Sequence, residues 1–565
     1  MKGLERMRKL HKKQTVELIE TLSEACKELL TVESNDYIDA CVEIQNFTTS
    51  IYDYVEKLKG NNSDILKLLE SMYEKLYESA QGNATPKDVY KLSEKIRSEI
   101  NAVKPDIIEI AFFCYKASMS DCFESIYLAA KADPNCDAYF IPIPYYDRNP
   151  DGSFGQMHFE GIGRYGNQFE LTDWQKYNIE ERRPDVIFIM NPYDDQNYVT
   201  SVHPDYYSSR LKKLTYQLIY IEYGIPFWVY NDPAADKESI KNNALIFPGY
   251  INCNNYIAYS KEMADYLEIA FKFKLNASKS FIETDIKKNK IVPLGSPKFD
   301  KVLSCKREDY KLPKLWREKS SGKKVILYNT SLSEFLKSTG QQLERQGSFK
   351  VIDSEYFQKV LSILRVFYAR DDVVIWWRPH PLFESTICSM RPEMIDLYHE
   401  IIAEFKNMKN GIFDNTDDIH RAIACSNAMI SDESSLLYLY LATGKPFYIP
   451  TISKRLQAPK INTEEDYHSP INARLQNMRG NKGANVGNWN TCIWWDNFQE
   501  EDFMRNTKFD NYVSRFLDFV MYPEKYPERE EYKELQLQMF RDFVVNPDGT
   551  SGQKILNFVK TNAGL

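Results

Sequence analysis

Ten cysteines are scattered along 565 residues with no C-x-x-C pair and no regular spacing. That leaves metal clusters and disulfide frameworks without support and suits a reducing compartment. No run of about 18 apolar residues occurs, so no transmembrane helix is expected. The opening MKGLERMRKLHKKQ is basic but leads into no apolar stretch, so it does not read as a signal peptide. Positive charge is also short. Lys and Arg number 72 against 80 Asp and Glu, a formal net charge of −8. This balance argues against nucleic-acid binding over the whole surface, while leaving room for a local basic cleft around a phosphate-bearing ligand. Solenoid repeats are absent.

The 43% of hydrophobic and 27% of charged residues are those of a soluble globular protein, and the length exceeds one hydrophobic core. Tyrosine (38) outnumbers phenylalanine (31). Tyrosines suit grooves that need a flat apolar face with a polar tip, but composition drift is the preferred explanation.

Residues 1–103 carry helical periodicity: Leu18, Leu22 and Leu29, then Ile51, Val55 and Leu58, then Leu66, Leu69, Met72 and Leu76. Breakers at Gly60-Asn61-Asn62 and Gly82-Asn83 separate the helices, and Thr85-Pro86 reads as an N-cap with proline at the first helical position. Four short helices offer oligomerisation, acceptor docking or membrane-surface contact; a structural cap on the next domain is preferred. At Lys104-Pro105 the pattern changes. Strands are expected at 107–113, 139–143, 184–189 and 217–221, then at 324–328, 373–377, 427–430 and 446–449, alternating with helices. Such alternation means parallel sheets covered on both faces. The fold class is α/β: two Rossmann-like domains (104–300 and 301–455) facing a cleft, preceded by the helical region. A helical extension (456–565) packs back on the core, although 453–509 yields no pattern.

In open parallel sheets ligands bind beyond the C-terminal strand ends. Three such ends in the second half carry Asn329-Thr330-Ser331, Arg378-Pro379-His380-Pro381 and Ser431-Asp432-Glu433-Ser434-Ser435. Ser434 and Ser435 precede a helix whose unpaired N–H groups suit phosphate, and simple capping explains them equally well. Arg378 offers a planar fork for phosphate oxygens. His380 is a phosphate-binding donor, a general acid or a solvated loop residue. Asp121 and Glu124, at the start of the first Rossmann helix, read as favourable charge at a helix dipole.

In order and spacing, ILYNTS (326–331), RPHP (378–381) and ISDESSLLYLYLATGKP (430–446) resemble the core motifs of the CDP-glycerol glycerophosphotransferases. Upstream, VPLGSPKFDKVL (292–303) is similar to that family's segment between the two halves. The resemblance spans roughly residues 105 to 455 and implies a GT-B-like fold with the donor in the C-terminal half. It implies that Thr330, Ser331, Arg378, His380, Asp432, Ser434 and Ser435 hold or activate the donor diphosphate. An acceptor hydroxyl on a glycopolymer or lipid-linked acceptor would attack phosphorus and release CMP, with no metal and no cofactor. The family's His-Gly-Thr-Pro turn reads Tyr223-Gly224-Ile225-Pro226 here. A phenol is a poor base at neutral pH, which leaves three readings: Glu222 or His203 takes over as base with Tyr223 at the site itself, the donor or acceptor needs no base there, or transfer is lost and only binding is kept. Alternatives are a sugar-nucleotide glycosyltransferase of GT-B type and a non-catalytic scaffold that binds nucleotide or polymer. The expected location is cytoplasmic, at the inner face of the cell membrane, with contact to that membrane and homo-oligomers through the N-terminal helices as further expectations.

Overall fold

The computed structural model describes residues 7–563 except 34–35, 59–62, 104–106, 150, 162, 198, 226–245, 278–289, 332–335, 339–348, 352, 391, 433, 453–492, 499–508 and 528. The breaker Gly60-Asn61-Asn62, the pattern change at Lys104-Pro105, Pro226 and Glu433 therefore lie outside the described residues.

The four expected N-terminal helices form: α1 (Lys9–Glu28), α2 (Tyr37–Glu56), α3 (Ser63–Ala80) and α4 (Pro86–Ala102). Their apolar stripes meet in one core that includes Leu22, Cys26, Ile51, Leu69, Met72 and Ile96. The Thr85-Pro86 start behaves as its sequence predicts. Thr85 accepts from the Asp88 N–H, and Asp88 accepts from the Thr85 N–H in return. Arg8, just before α1, ties the bundle to the first α/β half. Buried, it donates through Nε to Asp185 at 2.9 Å and through Nη1 to Glu109 at 2.8 Å. It also donates to the Arg183 carbonyl at 2.8 Å. Both carboxylates sit at the N-terminal edge of the sheet, so the bundle is anchored opposite the C-terminal strand ends.

The first half contributes β1 (Ile108–Cys114), β2 (Cys136–Pro142), β3 (Tyr145–Arg148), β4 (Phe154–His158), β5 (Val186–Ile189), β6 (Thr200–Val202), β7 (Gln217–Ile221), β8 (Asn255–Ala258) and β9 (Ile291–Pro293). The second contributes β10 (Lys324–Thr330), β11 (Leu336–Ser338), β12 (Phe349–Val351), β13 (Val373–Pro379), β14 (Gly411–Phe413), β15 (Ala428–Ser431), β16 (Phe447–Ile452) and β17 (Ile493–Phe498). Two six-stranded parallel sheets result, in the orders β2-β1-β5-β7-β8-β9 and β14-β13-β10-β15-β16-β17. β1 and β13 are buried at every position, as strands covered on both faces must be. β3, β4 and β6 make a small antiparallel sheet above the first half, which the sequence did not announce. β8, β9, β14 and β17 were also not anticipated. Three of them have only three or four residues, too few for a periodic signal.

The two α/β halves face one another in a GT-B-like arrangement, and the chain end crosses back between them. Helix Arg529–Phe543 packs Phe540 on Phe299 (5.1 Å between ring centroids) and Phe543 on Tyr438 (4.8 Å). Helix Ser551–Ala563 then lies against helix Glu124–Ala132 of the first half. Among the described residues no helix is long and apolar enough to cross a membrane.

Candidate active site between the facing strand ends

In each sheet one pair of neighbouring strands sends its connections to opposite sides, and there a crevice opens at the C-terminal ends. In the second sheet this switch falls between β10 and β15, with β13 flanking β10. The three motif loops are thereby brought into contact. Asn329 Nδ2 donates to Ser431 Oγ (2.9 Å) and to Ser434 Oγ (3.0 Å). The Ser331 N–H donates to Asp432 at 2.8 Å, and the His380 N–H to the Thr330 carbonyl at 2.9 Å.

Several of the expected phosphate-binding side chains are engaged in building this crevice. Asp432 is fully buried and takes Lys359 Nζ at 2.5 Å. Thr330 Oγ1 accepts from Trp377 Nε1 at 3.2 Å. Arg378 is buried, with Nη1 3.1 Å from Asp414 Oδ2, yet that nitrogen has no hydrogen-bond partner. Asp414 is in turn held by Trp376 Nε1 at 3.0 Å and by Thr416. Burial pulls the Arg378 guanidinium below its ordinary value, and Asp414 works against that pull. Ser434 and Ser435 line the entrance to helix Leu436–Leu441; Ser435 stands at its N-cap, exposed and without a side-chain cap bond.

His380 Nδ1 accepts from the Leu382 N–H at 3.1 Å, so its proton resides on Nε2. Burial, then Lys116 and Arg378, push its pKa down to about 4. At neutral pH it is an uncharged N–H donor. As a general acid it would have to start from this neutral form.

Across the cleft, Glu222 follows β7 and accepts from three phenols: Tyr256 at 2.6 Å, Tyr220 at 3.1 Å and Tyr250 at 3.4 Å. Burial raises its carboxyl above the ordinary range, with those hydrogen bonds opposing. Tyr223 shares a hydrogen bond with Tyr193 (2.9 Å), and burial drives its phenol well up, further from use as a base. His203 stands in a different cluster, among the rings of Tyr146, Trp174 and Tyr206 near the small sheet. Its Nδ1 accepts from the Asp205 N–H at 3.3 Å.

Asp121 and Glu124 do more than decorate a helix start. Asp121 lies in the 3₁₀ turn Ala117–Cys122 and accepts from Lys298 Nζ at 2.5 and 2.6 Å. It also meets His420 Nε2 of the second half at 2.7 Å. Burial alone would raise its carboxyl, but Lys298 and His420 overrule that and hold it well below the usual range. Glu124 takes Lys301 at 2.5 Å. A cavity of about 470 Å³ opens at this seam, lined by Ser118, Gln168, Tyr310 and His420 among others. Sequence reasoning missed Lys298, Lys359, Asp414 and His420. Lys298 had a signal, since it lies within the GSPKFD segment already singled out. Asp414 and His420 follow the three-residue β14 and had none.

No protein-family model and no curated protein matches the chain. Solved structures do. An MnaA–UDP co-structure from S. aureus superposes with a TM-score of 0.43 at 10% identity, over 81% of this chain and 98% of that one. A UDP-N-acetylglucosamine 2-epimerase gives 0.40 at 10% identity, over 81% and 97%. The wall teichoic acid polymerase TagF gives 0.41 at 14% identity, over 89% and 98%. At this identity and superposition the likenesses assign neither a substrate nor residue roles to the chain.

Proposed function

We propose that this protein transfers glycerol phosphate, or a related alditol phosphate, from a CDP-activated donor to a cell-surface glycopolymer. The single observation that carries the reading is the adjacency of ILYNTS, RPHP and ISDESS. The first and last of these motifs lie more than a hundred residues apart in sequence, yet the three loops hydrogen-bond to one another at one switch point. The donor diphosphate lies over Ser331, Ser434 and Ser435, with the N–H of His380 donating and Arg378 adding charge. The acceptor oxygen attacks phosphorus, the bond to the CMP oxygen breaks, and Glu222 takes the acceptor proton. A raised carboxyl pKa makes Glu222 a stronger base than an exposed one. Cytoplasmic action at the inner face of the membrane goes with this reading.

Calorimetric titration with CDP-glycerol, CDP, UDP and a UDP-sugar, followed by assay of CMP release, tests it. Cytidine-selective binding with CMP release is expected, and Glu222→Gln should lower turnover by about 10²–10⁴-fold with binding retained. Preference for uridine nucleotides would make the protein a glycosyltransferase instead. Binding without turnover of any donor would leave a non-catalytic scaffold.

A further inference from the structure

We propose that Lys116 is the first half's contribution to an anion subsite, so that a phosphate in the cleft is gripped from both halves at once. Lys116 stands two residues beyond the end of β1, and in the first sheet β1 and β5 are the pair at which the strand order reverses. It therefore occupies the same topological position in its sheet as the Asn329–Ser331 loop does in the second. The residue is only 8% exposed. Its ammonium lies 4.6 Å above the Tyr145 ring and 6.0 Å from that of Tyr115. Among the described residues no carboxylate or other acceptor is within bonding distance of it.

That isolation is unusual for this molecule. Lys298, Lys301 and Lys359 each hold a carboxylate at 2.5 Å. The acids nearest Lys116 act on it only at longer range, because each is committed elsewhere. Glu160 accepts from the Ala117 N–H at 2.6 Å and from Tyr145 OH at 3.3 Å. Asp147 meets His158 at 2.6 Å, and Asp417 takes Arg164 through two bonds of 2.6 and 2.9 Å. An ammonium largely withdrawn from water and faced by aromatic rings recovers little of its lost hydration. Burial accordingly draws Lys116 below the ordinary lysine value, against the pull of Glu160. Lys116 and, within the second half, Arg378 both act electrostatically on the neutral His380. A cation from the first half and an N–H donor and a guanidinium from the second thus act on one another, the guanidinium already paired with Asp414. The ligand class that satisfies all three is a phosphate or diphosphate.

The identity of the anion as the donor's diphosphate rests on the transferase reading, but the subsite itself does not. The test is calorimetric titration of the full chain with inorganic pyrophosphate and, separately, with CDP-glycerol. Wild type, Lys116→Met and Lys116→Arg are compared, with thermal unfolding as a check on folding. Pyrophosphate binding by wild type, weakened about 10–100-fold in Lys116→Met and kept within about threefold in Lys116→Arg, is expected. No pyrophosphate binding by wild type, or equal binding by folded Lys116→Met, overturns the subsite. Lys116-dependent pyrophosphate binding without CDP-glycerol binding keeps the subsite and removes the transferase reading. CDP-glycerol turnover indifferent to Lys116→Met, with pyrophosphate bound equally by wild type and variant, removes the subsite and keeps the transferase reading.

Discussion

His380 shows how much of a residue's chemistry is decided by its neighbours. A histidine with an ordinary pKa of about 6.5 would be partly charged near neutral pH. Here burial, Lys116 and Arg378 hold it near 4. The folded state therefore resists a proton that the unfolded chain accepts. Above pH 6.5 both states are neutral and this residue costs nothing; as pH falls from 6.5 towards 4, only the unfolded chain gains the proton, and stability is lost. Urea unfolding of wild type and His380→Asn between pH 7 and pH 4 should expose the difference. Wild type is expected to lose about 1–3 kcal/mol more than the variant over that interval. Parallel pH profiles would mean that His380 takes up its proton alike in the folded and unfolded chain, and its depression by burial, Lys116 and Arg378 would fall. Asparagine is chosen because its carbonyl can replace Nδ1 as acceptor for the Leu382 N–H.

Elements meet at the crevice through a salt bridge that no strand or helix contains by itself. Lys359 comes from helix Asp353–Tyr368 and Asp432 from the loop after β15; both are fully buried, and Asp432 also takes the Ser331 N–H after β10. The pair fixes three elements around the site. Desolvation offsets much of its attraction, so its net worth is small, but removing one partner strands a charge. Lys359→Met is expected to cost about 3–5 kcal/mol in chemical unfolding, and Lys359→Met combined with Asp432→Asn to regain a large part of that loss. If the double variant is no more stable than the single one, the pair is not a coupled ion pair. The element most easily overrated from sequence is helix Leu436–Leu441. Its six residues are all buried, so its main contribution is to the core.

The arrangement of the whole molecule turns on the crossing between halves. Gly295 adopts φ +89°, and a Cβ there would lie 2.3 Å from Ser551 Oγ and 2.5 Å from the Val545 carbonyl. The returning helix is seated by Asp300, which accepts from the Ser551 and Gly552 N–H groups at 3.1 and 2.7 Å and from Ser125 Oγ at 2.7 Å. Gly295→Ala must strain the backbone or push that helix away. A stability loss of about 1–3 kcal/mol is expected, with faster proteolysis beyond Val545, measured by thermal unfolding and limited digestion. Unchanged digestion would mean that the helix is held independently of this turn.

Long periodic segments were legible before any coordinates. The four N-terminal helices, the capping box at Thr85 and the buried strands such as Gln217–Ile221 follow from apolar spacing and local caps, because those signals act within a few residues. The candidate loops at Asn329, Arg378 and Ser431 were legible for the same reason, as small or charged residues after apolar runs. What those side chains do was not. Asp432 and Arg378 bind partners 73 and 36 positions away in sequence rather than standing free, and Glu222 draws two of its three phenols from two further segments. Lys116 gave no signal at all, since an ammonium without a counter-ion is defined by what the fold fails to bring near it. The sequence by itself determined the elements and the residue types at the strand ends. Only the tertiary structure decided which charges are paired, because pairing and desolvation depend on distances between segments that are remote along the chain.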